Sequence, residues 1–94
     1  QIPLDPTSMT FVAGDIATQA DQVFSNLAAI AEAAGGTLNN AVKVNISLTD
    51  MSDFDAVNTV MASHFEAPYP ARACVQVVAL PKGADIEVEA ILVL

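Results

Sequence analysis

The stretch Pro68-Tyr69-Pro70-Ala71-Arg72-Ala73-Cys74-Val75-Gln76-Val77 reads as a strand with an arginine at its start. Pro68 and Pro70 end any preceding helix, because the residue before a proline is pushed out of helical conformation. From Ala71 to Ala79 the chain is mostly apolar and has no breaker, which predicts a core strand. Arginine cannot shed its charge, and burying it without an anion costs several kcal/mol. Only three residues are basic, Lys43, Arg72 and Lys82, against eleven acids, so one of the three sits in this strand. That position asks for an anionic partner. A small carboxylate ligand suits it, because a guanidinium holds a carboxylate with two parallel hydrogen bonds. The competing reading is a structural ion pair with Glu87 or Glu89.

Working outward, Pro81 to Ala84 reads as a turn and Asp85 to Val93 as a further strand. There Glu87 and Glu89 alternate with Ile86, Val88 and Ala90, so both carboxylates point to one sheet face. They are either a solvated face or a pair in which one acid, its pKa raised by the other, moves protons near neutrality. Ala41 to Leu48 alternates too, with Val42, Val44, Ile46 and Leu48 predicted inward. Residues 16–34 carry Ile16, Ala20, Val23, Leu27, Ile30, Ala31 and Ala34 at helical spacing, with Asp15 as N-cap and Gly35-Gly36 as a left-handed terminator. Phe54, Val57, Met61 and Phe65 mark a second helix, with Ser52 and Asp55 as a variant capping box. A short strand is expected at Met9–Val12. The order helix–strand–helix–strand–strand predicts one domain over 1–94, an α+β or α/β layer with both helices on one face of a sheet. Sequence adjacency alone would pair 71–79 with 85–93 as a hairpin.

Composition narrows the function. A domain of 94 residues buries little more than ~60% of the surface its unfolded chain exposes. More than half of its residues are apolar, which points to an oligomer. A net charge of −8 argues against nucleic acid and against anionic membranes as partners. No apolar run reaches the ~18 residues of a membrane span. One cysteine forms no internal disulfide, which fits a reducing cytoplasm. One His and one Cys fall short of a metal-ligand set, so neither metal nor cofactor is expected.

Tyr69-Pro70-Ala71-Arg72-Ala73-Cys74-Val75-Gln76-Val77, Leu80-Pro81-Lys82-Gly83-Ala84 and Ile86-Glu87-Val88-Glu89-Ala90-Ile91 together resemble the C-terminal signature of the RidA/YjgF family, the imine deaminases. Gln1 to Pro6, 15–35 and Asp53-Phe54 with Val57-Asn58 are similar to further family segments. The resemblance implies a chorismate-mutase-like fold, with 41–48 placed between 71–79 and 85–93. It also implies a homotrimer whose sheets form a central barrel. Two family strands would precede Gln1, so the chain is expected to be a piece of a longer fold. The family's upstream tyrosine and serine-glycine pair have no counterpart here. Ala73 replaces a frequent serine, and Glu66 stands where glycine is common.

The candidate site residues follow. The resemblance makes Arg72 the carboxylate anchor and Glu87 the residue that holds water near the substrate; Glu89 matches a second family glutamate of open role. Cys74 shares the side of the strand on which Arg72 lies. As a nucleophile it lacks a partner, because His64 has no evident companion carboxylate; as a small buried thiol it needs none. The resemblance gives it a backbone N–H contact to the ligand. Asn58 beside the apolar stripe matches a family position near the site. Tyr69, clamped between prolines, is a pocket wall or a loop plug. The implied reaction is hydrolysis of 2-imino or enamine acids to 2-keto acids and ammonia. The alternative is a non-enzymatic trimeric binder or sensor of keto or amino acids, or a chaperone-like protein. A ribonuclease reading fits the charge poorly. Arg72 and Glu87 open antiparallel strands, which separates them within one chain and predicts a site shared between neighbouring subunits.

Overall fold

Strand β1, Ala41–Leu48, is the centre on which the rest is assembled, because Val44, Ile46 and Leu48 are all but fully buried. In the computed structural model, which describes residues 1–94, β1 is flanked by β2, Ala71–Gln76, and β3, Ile86–Leu92. It runs parallel to β2 and antiparallel to β3. The hairpin suggested by adjacency does not form. Helix α2, Phe54–His64, returns the chain so that β2 enters parallel to β1. The segment 77–85 is too long for a tight turn and crosses the end of β1, with Thr49 N–H bonded to the Asp85 carbonyl at 3.2 Å. Both outer strands are shorter than the apolar runs predict.

One residue of the expected alternation is wrong. Ala41 pairs with Leu92 and Lys43 with Ile91, so Val42 is an extra residue on β1. This bulge turns Ala41 inward and leaves Val42 49% exposed.

Helix α1, Ile16–Ala33, starts where Asp15 accepts the Thr18 N–H at 2.9 Å. It ends in a Schellman motif. Gly36 N–H bonds to the Ala31 carbonyl and Gly35 N–H to the Glu32 carbonyl, while Gly35 takes φ 89°. Ala20, Val23, Phe24 and Ala31 form its buried stripe, whereas the expected member Ile30 is half exposed. On α2 the buried residues are Val57 and Met61, followed by Phe65. Its lead-in differs from the expected Ser52 cap. Asp50 accepts the Ser52 N–H at 2.9 Å and caps a 3-10 turn, Met51–Asp53, that runs into the helix. Met9–Val12 is not a strand; a single bridge joins Leu4 to Phe11.

Both helices cover the sheet face formed by Val44, Ile46, Leu48, Ile86 and Val88, and Phe24 packs edge-on against Phe65 at 6.1 Å. The opposite face has no helix over it. There Val75 and Ile91 remain more than half exposed beside Glu87 and Glu89. No helix is long and apolar enough to cross a membrane. Because Ile46 is almost completely enclosed, Ile46→Val is expected to destabilise the fold by about 1 kcal/mol through the methylene lost and the gap left. The midpoint of urea unfolding checks this.

Candidate functional site

The site is built where α2 meets the first residues of β2. Arg72 sits in register with Val44, and residues in register share a face, so its side chain lies on the helix side. There the guanidinium meets two residues one helical turn apart. Its Nη1 donates to Asn58 Oδ1, and its carbon lies 4.8 Å over the centre of the Phe54 ring.

The burial expected for Arg72 is not found. β2 has β1 as its single neighbour, the helices sit over β1 and β3, and every residue of β2 except Cys74 is exposed. Arg72 therefore has no desolvation to offset. It also has no acidic partner: His64 with Asp21 is the one ion pair in the chain. The register explains why Glu87 and Glu89 do not reach it. Glu87 pairs with Ser47 and Glu89 with Asn45, both on the bare face. From Arg72 to Glu87 the offset is three residues along the strands and two strand spacings across, about 14 Å between backbones. The sheet itself lies between their side chains.

A cleft of about 450 Å³ opens beside Arg72, lined by Asn58, Met61, Ala62, Tyr69, Pro70 and Arg72. Three of the expected site residues, Arg72, Asn58 and Tyr69, thus meet in one place, with Tyr69 as an exposed wall. Cys74 falls outside it. It lines an adjoining depression of about 360 Å³ with Met51, Ser52, Phe54 and Asp55. Burial pushes its thiol above the ordinary range, against a smaller opposing pull from the Arg72 charge. It is therefore a protonated thiol at neutral pH. Its backbone is more telling. Val77 N–H bonds to the Leu48 carbonyl at 2.8 Å, and alternate residues of a parallel strand face the partner. The N–H groups of Arg72, Cys74 and Gln76 consequently point to the open edge of β2.

Glu87 and Glu89 do share a face, as the alternation predicts. Glu89 accepts from Asn45 Nδ2 at 3.1 Å, while no hydrogen bond reaches the Glu87 carboxylate. His64 corrects the sequence reading in another way. It has a companion carboxylate, Asp21 Oδ1 at 2.7 Å, supplied by α1 from 43 positions away, and it stacks on Phe24 at 5.5 Å. That pair ties the two helices together and lines neither cleft. The residue that the sequence reading missed is Phe54, taken there for core. The available signal was its spacing of four from Asn58, which puts both on one helix face.

Comparison with known proteins completes the description. The model of the family described as endoribonuclease L-PSP matches residues 1–94. The 2-iminobutanoate/2-iminopropanoate deaminase of Mus musculus is 45% identical over 93 residues, covering 99% of this chain and 69% of that protein. The crystal structure of RidA from the Antarctic bacterium Psychrobacter sp. PAMC 21119 superposes with a TM-score of 0.96 at 53% identity, covering all of this chain and 76% of that one. A structure of TdcF from E. coli, solved with bound serine, superposes with a TM-score of 0.90 at 39% identity, covering 99% of this chain and 75% of that one. A match over the whole chain and a shared arrangement of two helices on a three-stranded mixed sheet make this chain a member of the endoribonuclease L-PSP family, the RidA/YjgF proteins.

Proposed function

We propose that this protein hydrolyses 2-imino and enamine acids of the 2-iminobutanoate and 2-iminopropanoate type to 2-keto acids and ammonia, as a homotrimer in the cytoplasm. The observation that carries the reading is a guanidinium free of any acidic partner at the wall of an open cleft. Support comes from the relatives named as deaminases of that type and from the bound serine of TdcF, an amino acid with the same carboxylate handle.

In this reading Arg72 grips the substrate carboxylate by two hydrogen bonds and fixes its orientation. The Cys74 N–H at the strand edge adds a donor, and Asn58 and Tyr69 complete the walls. Glu87 comes from the bare face of a neighbouring subunit, where it orients a water and takes its proton as the oxygen attacks the imine carbon. That proton passes to nitrogen to give a carbinolamine; its hydroxyl proton then also moves to nitrogen, the C–N bond breaks, and ammonia leaves as the carbonyl forms. An enamine first takes a proton on carbon and gives one up from nitrogen to become the imine. The substrate is already electrophilic, so neither a covalent nucleophile nor a cofactor enters.

The direct test is ammonia release from an imine generated by a pyridoxal-phosphate dehydratase. Release by this chain, lost in Arg72→Ala, is expected; equal release by both would remove Arg72 from the reaction. Trimerisation is motivated by the bare sheet face with Val75 and Ile91 exposed. Light scattering is expected to give three times the chain mass, and a stable monomer at micromolar concentration would contradict it. Since only the backbone of Cys74 is used, Cys74→Ala is expected to keep activity within about twofold, an effect of the size surface substitutions have. A tenfold loss would implicate the thiol.

A second reading rests on the position of Glu87. Within one chain the cleft beside Arg72 has no acid in its lining, and Glu87 is on the other face of the sheet. A binder or sensor of keto or amino acids would show tight 2-oxobutanoate binding and no ammonia release.

A further inference from the structure

We infer that Phe54 is a positioning residue for Arg72: its ring supports one face of the guanidinium so that the N–H edge left free by Asn58 is presented to a carboxylate. The inference deepens the proposed function and rests on its assignment of Arg72 as anchor.

Arg72 stands on an exposed edge strand, with no acid to pair with. A long side chain in that setting samples many rotamers, and ordering it on binding would weaken affinity. Two contacts from α2 restrict it. Phe54 and Asn58 are four residues apart, so they project from one helix face one above the other. The guanidinium carbon lies 4.8 Å over the centre of the ring, and the amide oxygen takes one Nη1 hydrogen. A guanidinium has five N–H donors in its plane and two faces that donate nothing. A ring held against a face of the cation removes rotational freedom without consuming a donor. The donors that remain lie in the plane, which is the geometry of a two-pronged carboxylate contact.

The position of the ring agrees with this role. Phe54 is only partly buried, unlike Val57 and Met61 of the same stripe. It lines the depression that also holds Cys74, on the same sheet face as Arg72. Its inner side packs against the core, and the Arg72 guanidinium lies over its ring.

The test compares binding of 2-oxobutanoate by calorimetry for the full chain and four variants, Phe54→Leu, Phe54→Tyr, Arg72→Ala and the double variant Phe54→Leu with Arg72→Ala. Phe54→Leu is expected to weaken binding about three- to fivefold, the range open to a cation–π contact at an exposed site. Phe54→Tyr keeps the aromatic face and is expected to bind as the unmodified chain does. In the Arg72→Ala background, Phe54→Leu is expected to change nothing further, a coupling that a merely structural ring would not show. Steady-state kinetics are expected to place the Phe54→Leu effect mainly in KM. If Phe54→Leu unfolds, Phe54→Met, of similar volume and without a π face, takes its place and carries the same expectation. Unchanged binding in Phe54→Leu, or equal losses with and without Arg72, would overturn the inference and leave Arg72 as anchor. Unchanged binding in Arg72→Ala would overturn the anchor itself, and with it the function proposed above.

Discussion

Arg72→Lys is expected to lower turnover of a 2-imino acid by about 10- to 100-fold while leaving the fold intact. The lysine keeps the positive charge but replaces a planar fork by a point charge. One of two charge-assisted hydrogen bonds to the carboxylate is then lost, an effect of roughly 1.5–3 kcal/mol, and each 1.36 kcal/mol is about tenfold in rate. The ammonium also gives up stacking on Phe54 and has different reach toward Asn58. Stability is not at issue. Arg72 is exposed on an edge strand and pairs with no acid, so the substitution is expected to shift unfolding by no more than about 0.5 kcal/mol. The measurement is ammonia release together with thermal unfolding of the same preparation. Near-native turnover in the lysine variant would show that charge alone suffices and that the two-pronged contact is not made.

The second large effect is a recovery. Arg72→Ala and Glu87→Gln are each expected to be inactive, and trimers assembled from an equal mixture are expected to regain activity. The reason is the sheet. Arg72 is on the helix side and Glu87 on the bare side, three residues apart in register, so the strands themselves separate them within one chain. Only a neighbour's Glu87 can approach a ligand held by Arg72. In a closed ring of three, every mixed trimer has one junction where an intact Arg72 meets an intact Glu87, and random assortment gives about one quarter of the wild-type sites. Activity near that level after denaturation and joint refolding would support the shared site. Mixed trimers that form, with both parents folded, and yet release no ammonia would confine both residues to one subunit.

How much of this was legible beforehand depends on the range over which each feature is decided. The boundaries of β1, the Asp15 cap, the Gly35-Gly36 terminator and the shared face of Glu87 and Glu89 are local, set by alternation and by backbone preferences of a few residues. They could be read directly. Val42 could not, because a bulge is a choice of pairing between two strands and changes no residue pattern within either. The cap of the second helix was misread for a nearer reason: Asp50 and Ser52 are both competent caps, and the 3-10 turn that follows Asp50 takes Ser52 into itself. His64 found its carboxylate on α1, across a distance in sequence that no spacing rule spans.

Arg72 shows the division most clearly. Its chemistry, a permanent planar cation among eleven acids and two other basic residues, follows from the sequence alone, and so does the reading of a carboxylate anchor. The argument that it must be buried failed, because burial belongs to the strand's place in the sheet and not to its composition. An apolar strand is core only if something covers it, and β2 is an edge with its outer N–H groups open. The sequence by itself determined the two helices, the three strands and the residues capable of the chemistry. The middle place of β1 came from the family resemblance and not from the residue pattern; tertiary structure alone decided that Phe54 meets the guanidinium and that Arg72 and Glu87 stand on opposite faces. Those outcomes depend on long-range register, in which a shift of one residue sends a side chain to the other side of the sheet.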